Sequence, residues 1–179
     1  SLINSESKKV IKGDYEIIFV NDGSKDKSYK IAKSLCKQNS NVTLVDLSKN
    51  FGHHKAIMTG LKYCTGDYIF LLDSDLEERP EWLSLFYKKM ENENVDVVYG
   101  IQEKRNDSHI SNTFAKLFYF LFNSLSNTQI PKNFLIARLM KRKYVESLLL
   151  HNEKEIFIGG MFHLIGFNQV GLEVNKMKQ

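Results

Sequence analysis

Cysteine is scarce: the 179 residues hold two, Cys36 and Cys64. Both fall at apolar positions of predicted helices, and their spacing matches no metal motif. That excludes a disulfide framework and a zinc knuckle, and it predicts buried thiols in a reducing compartment. No run of about 18 apolar residues occurs, so no transmembrane helix lies in these residues. A signal peptide is missing too. No basic block and no nucleic-acid motif is present, which argues against DNA or RNA as a ligand. The net charge of +4 is mild. It fits an anionic ligand, a membrane surface or a plainly solvated exterior. Neither Gly-x-Gly-x-x-Gly nor Gly-x-x-x-x-Gly-Lys-Ser/Thr occurs, so both common glycine-rich phosphate cradles are excluded. Internal repeats and low-complexity tracts are absent. The chain opens Ser1-Leu2-Ile3 without an initiating methionine, and it reads as a piece of something longer.

What is present is an ordinary globular composition, 42% hydrophobic and 26% charged, in a length suited to one domain. Tyr15–Asn21 is a continuous apolar run and reads as a central strand. After the Asp22-Gly23-Ser24 turn, Asp26 caps a helix over Lys27–Gln38, with Ile31, Ala32, Leu35 and Cys36 on its inner stripe. Val42–Leu47 is a second strand, followed by a polar loop over Ser48–His54. A helix over Lys55–Tyr63 buries Ala56, Ile57, Gly60 and Leu61. Tyr68–Leu72 is a third strand. Pro80 opens a helix carrying Trp82, Leu83, Leu85, Phe86 and Met90. Val95–Tyr99 is a fourth strand. Strands alternating with helices predict an α/β fold, a mostly parallel sheet between helices. Farther on, Ile110–Leu125 carries Phe114, Leu117, Phe118, Phe120, Leu121 and Phe122. This is wider than an ordinary amphipathic stripe, and it reads as a core helix or as an interfacial helix meeting a bilayer. Lys141-Arg142-Lys143 precedes a helix over Tyr144–Leu150, and Val170–Val174 is a short last strand.

The chemistry concentrates in Tyr68-Ile-Phe-Leu-Leu-Asp-Ser-Asp75, an apolar strand ending in two carboxylates. In open α/β sheets the carboxyl edge is where ligands bind. Paired oxygen donors without a nearby Cys or His suit a hard divalent cation. Asp22 ends an apolar strand of the same kind, so parallel strands would bring Asp22, Asp73 and Asp75 to one crevice. Taken singly, Asp22 also fits a turn residue, and Asp-Ser-Asp also fits an Asx-turn with a capping Asp.

Three ordered motifs carry a resemblance: Asn21-Asp22-Gly23-Ser24-x-Asp26-x-Ser28, then Leu47-Ser48-x-Asn50-Phe51-Gly52-x-x-Lys55-Ala56, then Asp73-Ser74-Asp75-Leu76-x-x-x-Pro80-Glu81. Together they resemble a family 2 glycosyltransferase, in the dolichol-phosphate mannose synthase or polyprenyl-phosphate branch. The resemblance implies a GT-A fold in a single catalytic domain over 1–179. Its Rossmann-like nucleotide-sugar-binding half would cover 14–100 and its acceptor-side half 101–179. It also implies an inverting, metal-dependent hexosyltransferase using Mg2+ or Mn2+. The donor would be a nucleotide sugar, with uridine favoured. The acceptor would be a polyprenyl phosphate or a glycan, in bacterial cell-envelope synthesis at the cytoplasmic face of the membrane. Asp22 would contact the base, with Asn21 beside it. Asp75 would be the direct metal ligand, and Asp73 would lie near ribose and metal. Lys55 would lie near the nucleotide, and Gly52 would let its loop bend. Arg138 would contact the acceptor phosphate or the diphosphate, with Arg105 a weaker candidate. His53 and His54 read as plain loop residues. A phosphate acceptor is already an anionic nucleophile, so no general base is required.

The chain departs from that branch at three places. The strand that usually opens the branch, of the type Val-Ile-Pro-x-Tyr-Asn-Glu, is missing, which reads as an N-terminal truncation. Ile136 stands where an aspartate is usual, and Gln102 replaces a frequent arginine. Two rival readings follow: a catalytically degenerate GT-A binding domain, and a phosphatase of the haloacid dehalogenase type, which also ends a strand in Asp-x-Asp.

Overall fold

The structure is a computed structural model that describes residues 2–10, 13–75, 77–102, 133–151 and 158–176. In chain order the elements are α1 (Leu2–Val10), β1 (Ile17–Asn21), α2 (Ser28–Gln38), β2 (Val42–Asp46), α3 (His53–Tyr63), β3 (Tyr68–Leu71), α4 (Trp82–Glu93), β4 (Val97–Gln102), β5 (Phe134–Lys141), α5 (Arg142–Leu149), α6 (Ile158–Leu164) and β6 (Gln169–Val174). The aromatic segment 110–125 and Arg105 lie outside the described residues.

The strands form two sheets, β1-β2 and β3-β5-β4-β6. β1 and β2 are parallel, with Asn21 opposite Asp46 at their ends. In the larger sheet β4 and β6 are parallel, and β5 runs antiparallel to both β3 and β4. Three of its four strands therefore share a direction, and β5 alone is reversed. β5 was not legible as a strand because its apolar run is broken by Arg138 and its two partners are far away in sequence.

Alternation along these strands builds two cores, one on each face of the larger sheet. On one face Ile69, Val97 and Met140 meet Ile57 and Leu61 of α3, Tyr144, Val145 and Leu148 of α5, and Phe162 of α6. On the other, Val98, Leu139 and Val174 meet Trp82, Leu83, Phe86 and Met90 of α4. Phe86 and Met90 are fully buried, each worth about 1.5–3 kcal/mol of apolar transfer.

The β1–β2 layer is thinner. The expected inner stripe of α2 is not buried: Ile31 is 58% exposed, Leu35 is exposed, and no α2 residue is buried. Cys36 and Cys64 are free thiols but only half-buried, not fully buried as expected. Gly60 of α3 sits against β1, where an added Cβ would stand 2.9 Å from Val20 Cγ2. Glu16 ties this layer to the start of β3, accepting from Thr65 N–H (2.6 Å), the Thr65 hydroxyl (2.8 Å) and Gly66 N–H (3.2 Å). Arg142 fixes the same stretch from α5 by donating to the carbonyls of Cys64 and Gly66.

Candidate active site

Two turns at strand ends meet one loop. The Asp22 carboxylate accepts from Phe51 N–H at 2.7 Å and from Gly52 N–H at 3.0 Å. Gly23, with φ +71, lies so close to that loop that a Cβ would stand 2.6 Å from Asn50 N. Only glycine fits both the left-handed backbone and the gap. Gly52 takes φ +97, and the chain turns there into α3. The next residue, His53, places Nε2 3.4 Å from Asp73 Oδ1. Asp22 and Asp73 thus engage consecutive residues of the same loop from two different strand ends. Asn21 braces the arrangement: its Nδ2 donates to Asp46 Oδ1 at 2.7 Å, and its Oδ1 accepts from Ser24 N–H at 3.3 Å.

Beyond β3 the chain runs along the carboxyl edge of the larger sheet. Asp73 is half-buried and Asp75 exposed. Asp75 Oδ1 accepts from Glu77 N–H at 2.9 Å, an Asx-type turn. Burial pushes the Asp73 carboxyl above its ordinary range. His53 and Lys176 pull it down, while the Asp75 charge adds to the rise. Lys176, just past β6, places Nζ 2.7 Å from Glu77 Oε2. Glu78 is 3% exposed. Its two oxygens accept from Asp73 N–H (3.0 Å) and Ala137 N–H (3.1 Å).

Ala137 belongs to a bulge in β5. Tyr99 pairs with Arg138 and Ile101 with Phe134, so β5 advances four residues while β4 advances two. Bulges free backbone groups and recur beside active sites. Here charged side chains take up the freed groups: Glu78 accepts the Ala137 N–H, while Arg138 donates to Ile136 O (3.1 Å) and Leu135 O (3.2 Å). Ile136, the departure from the branch, stands on this bulge.

Arg138 lies beneath the carboxyl edge rather than at it. It is 0% exposed, and its guanidinium carbon sits 3.3 Å from the Phe162 ring centroid. The expected direct contact with a phosphate is closed off in this arrangement by Phe162 and the surrounding core. Burial pulls the guanidinium down to about 10, opposed by the nearby Tyr144 oxygen and Glu78. Its Nη1 has no hydrogen bond of acceptable geometry among the described residues. Lys55 is half-buried on the first turn of α3, with no ion pair among the described residues.

Residues 1–149 match the family model described as glycosyl transferase family 2. The chain belongs to that family. It is 45% identical over 163 residues to a Mycobacterium tuberculosis protein described as a glycosyltransferase, covering 91% of this chain and 48% of the relative. An Escherichia coli prophage bactoprenol glucosyl transferase homolog is 33% identical over 154 residues, covering 86% of this chain and 50% of the relative. The chain spans about half the length of the curated relatives it matches. Among solved structures it resembles the mannosyltransferase PcManGT of Pyrobaculum calidifontis, solved with GDP-Man and Mn2+. The TM-score is 0.57 at 17% identity, over 96% of this chain and 51% of the other. The fold is thus that of GT-A glycosyltransferases, as the motifs imply, and family membership sets aside the phosphatase reading. Among the described residues no helix is long and apolar enough to cross a membrane.

Three residues of this edge, Glu77, Glu78 and Lys176, escaped the sequence reading. Glu77 and Glu78 carry a faint signal, two acids between Asp-x-Asp and Pro80. Nothing local announces that one is buried or that Lys176 returns to the same edge.

Proposed function

We propose that this domain transfers a hexose, with inversion, from a nucleoside diphosphate sugar to a polyprenyl phosphate in bacterial envelope synthesis. The observation that carries this reading is the shared loop: Asp22 holds Phe51 and Gly52 while His53 faces Asp73. That linkage joins the base side and the phosphate side of one donor site. Asp22 and Asn21 serve the nucleoside, and Lys55 stands on the helix that follows the loop. The bactoprenol relative supports a polyprenyl acceptor. Such lipids reside in membranes, so the domain would act at a membrane surface, and we place it at the cytoplasmic one.

The donor set fits Mg2+ or Mn2+. Asp73 and Asp75 are hard oxygen ligands, and among the described residues no group of three candidate ligands forms a closed cage. One or two carboxylates completed by substrate phosphates is how such ions are usually held. The Mn2+ in PcManGT supports this choice. Bound there, the ion would neutralise charge on the diphosphate as it departs. The polyprenyl phosphate attacks as an anion, so the chain supplies cations and position rather than a base. Arg138 serves the acceptor side by holding the β5 bulge from beneath.

Calorimetric titration of UDP, then GDP, with Mn2+ or Mg2+ tests this reading, with Asp75→Asn alongside. Metal-dependent binding of one nucleotide, lost in the variant, is the expected result. A folded protein that binds neither nucleotide overturns it in favour of a degenerate binding domain. Sugar transfer to a short-chain polyprenyl phosphate then checks the acceptor.

A further inference from the structure

We propose that Glu78 is a positioning residue, whose buried carboxylate ties the Asp73 backbone to the β5 bulge and so sets where Asp73 presents its oxygens. Three observations converge on it. Glu78 is almost fully buried, yet it lies five residues from Asp73 on a loop whose other described residues are exposed or only partly covered. Each of its oxygens takes one backbone N–H, from Asp73 at 3.0 Å and from Ala137 at 3.1 Å. Those two N–H groups lie beyond the ladder: the register of β3 with β5 ends at Leu71 opposite Arg138. Glu78 thus joins the Asp-x-Asp turn to β5 beyond the last ladder pair.

The chemistry favours a carboxylate over any neutral side chain at this point. Two N–H donors arriving from two segments need two acceptors on one rigid plane. An ionised carboxylate provides them, and charge-assisted bonds to backbone N–H are the stronger kind. A glutamine would accept one N–H and present its own N–H2 to the other. Groups that orient a metal-ligating carboxylate typically change metal affinity about 10- to 100-fold when altered. The metal arm of this inference rests on the donor-site reading above, but the backbone arm does not.

The experiment is amide hydrogen exchange by NMR at Asp73 and Ala137, together with Mn2+·UDP titration, in the wild type, Glu78→Gln and Glu78→Asp. Glu93→Gln, on an exposed helix end, serves as control. In Glu78→Gln at least one of the two amides exchanges about 10-fold faster or more, and Mn2+·UDP binding weakens about 10- to 100-fold. The control leaves both unchanged. Should Glu78→Gln fail to fold, Glu78→Asp decides, since it keeps the charge but withdraws it by one methylene and must still release one amide. Unchanged exchange at both amides overturns the proposal. So does faster exchange with unaltered Mn2+·UDP affinity. If the wild type binds neither UDP nor GDP with Mn2+, the donor-site reading falls, and the exchange data still decide whether Glu78 holds Asp73; if it binds GDP alone, Mn2+·GDP replaces Mn2+·UDP in the titration.

Discussion

The β1–α2–β2 layer and the β3-β5-β4-β6 sheet are built from similar apolar strands yet differ sharply in how much they bury. In β4 the first four residues are buried, and Val97 and Val98 are inaccessible. In β1 every residue is only partly covered, and β2 buries Val45 alone. The difference lies in neighbours. β4 has a strand on each side and a helical layer on each face, whereas among the described residues β1 pairs only with β2, and α2 leaves Ile31 outside. Regions with few buried contacts open at low free energy and commonly hold ligand-binding parts. Here the thin layer carries Asp22 and its loop, and the thick sheet carries Asp73, Glu78 and Arg138. The candidate site therefore joins a soft half to a hard half.

The largest expected effect measures that contrast directly. Phe86 is fully buried, stacked on Trp82 and edge-on to Phe70. Phe86→Ala should cost about 3–5 kcal/mol in urea unfolding. Ile31→Ala in the thin layer should change stability by no more than about 0.5 kcal/mol. Equal losses would show that α2 is packed in solution and would remove the contrast.

Arg138 sharpens it from within the hard half. A guanidinium that is 0% exposed, with no carboxylate bonded to it among the described residues, is a costly core group. Arg138→Met also strips the bulge carbonyls of Leu135 and Ile136 of their donor, so it should cost about 1–3 kcal/mol, while sugar transfer falls. A protein that loses stability and keeps activity would make Arg138 a purely structural staple. On the soft side, Gly23→Ala combines a forbidden φ with a 2.6 Å contact to Asn50 N. It should cost about 1–3 kcal/mol and weaken nucleotide binding, because the loop held by Asp22 must shift. Unchanged nucleotide affinity would detach that loop from the donor site.

Much of this was legible in the sequence, for identifiable reasons. β1 to β4 announce themselves as apolar runs, and the turns after β1 and β3 carry Asp22 one residue and Asp73 two residues past the strand end, so their placement at strand ends could be inferred. The stripe on α2 was equally visible, but periodicity reports which face is apolar and not whether anything covers it. β5 escaped because an arginine interrupts it and because antiparallel insertion between β3 and β4 is a long-range choice. α1, with Leu2 and Ile3 followed by Asn, Ser, Glu and Lys, has too little apolar period to be read. His53 read as a loop residue, and only the fold brings its ring to Asp73. Burial of Glu78 and Arg138 follows from the bulge, which no local pattern encodes.

The smallest predicted effect tests the strap between the two halves. Glu16 accepts three hydrogen bonds from Thr65 and Gly66, just ahead of β3. Partial burial pushes its carboxyl up, but the bonds from Thr65 and Gly66 and the nearby Arg142 charge outweigh this and hold it below the ordinary glutamate range. A carboxyl lowered in the folded state binds fewer protons there than in the unfolded chain, so stability rises with pH across the interval between the two values. The contribution is complete above the ordinary glutamate value and disappears as pH falls through the lowered one. Glu16 is exposed, so solvent screening keeps the effect small. Glu16→Gln should therefore flatten part of the acid limb of a melting-temperature profile while changing little at neutral pH. The same substitution should speed amide exchange at Thr65 and Gly66 and leave Phe86 and Val98 protected. If exchange quickens equally in both halves, the two layers unfold as one unit and the division between them has no energetic meaning.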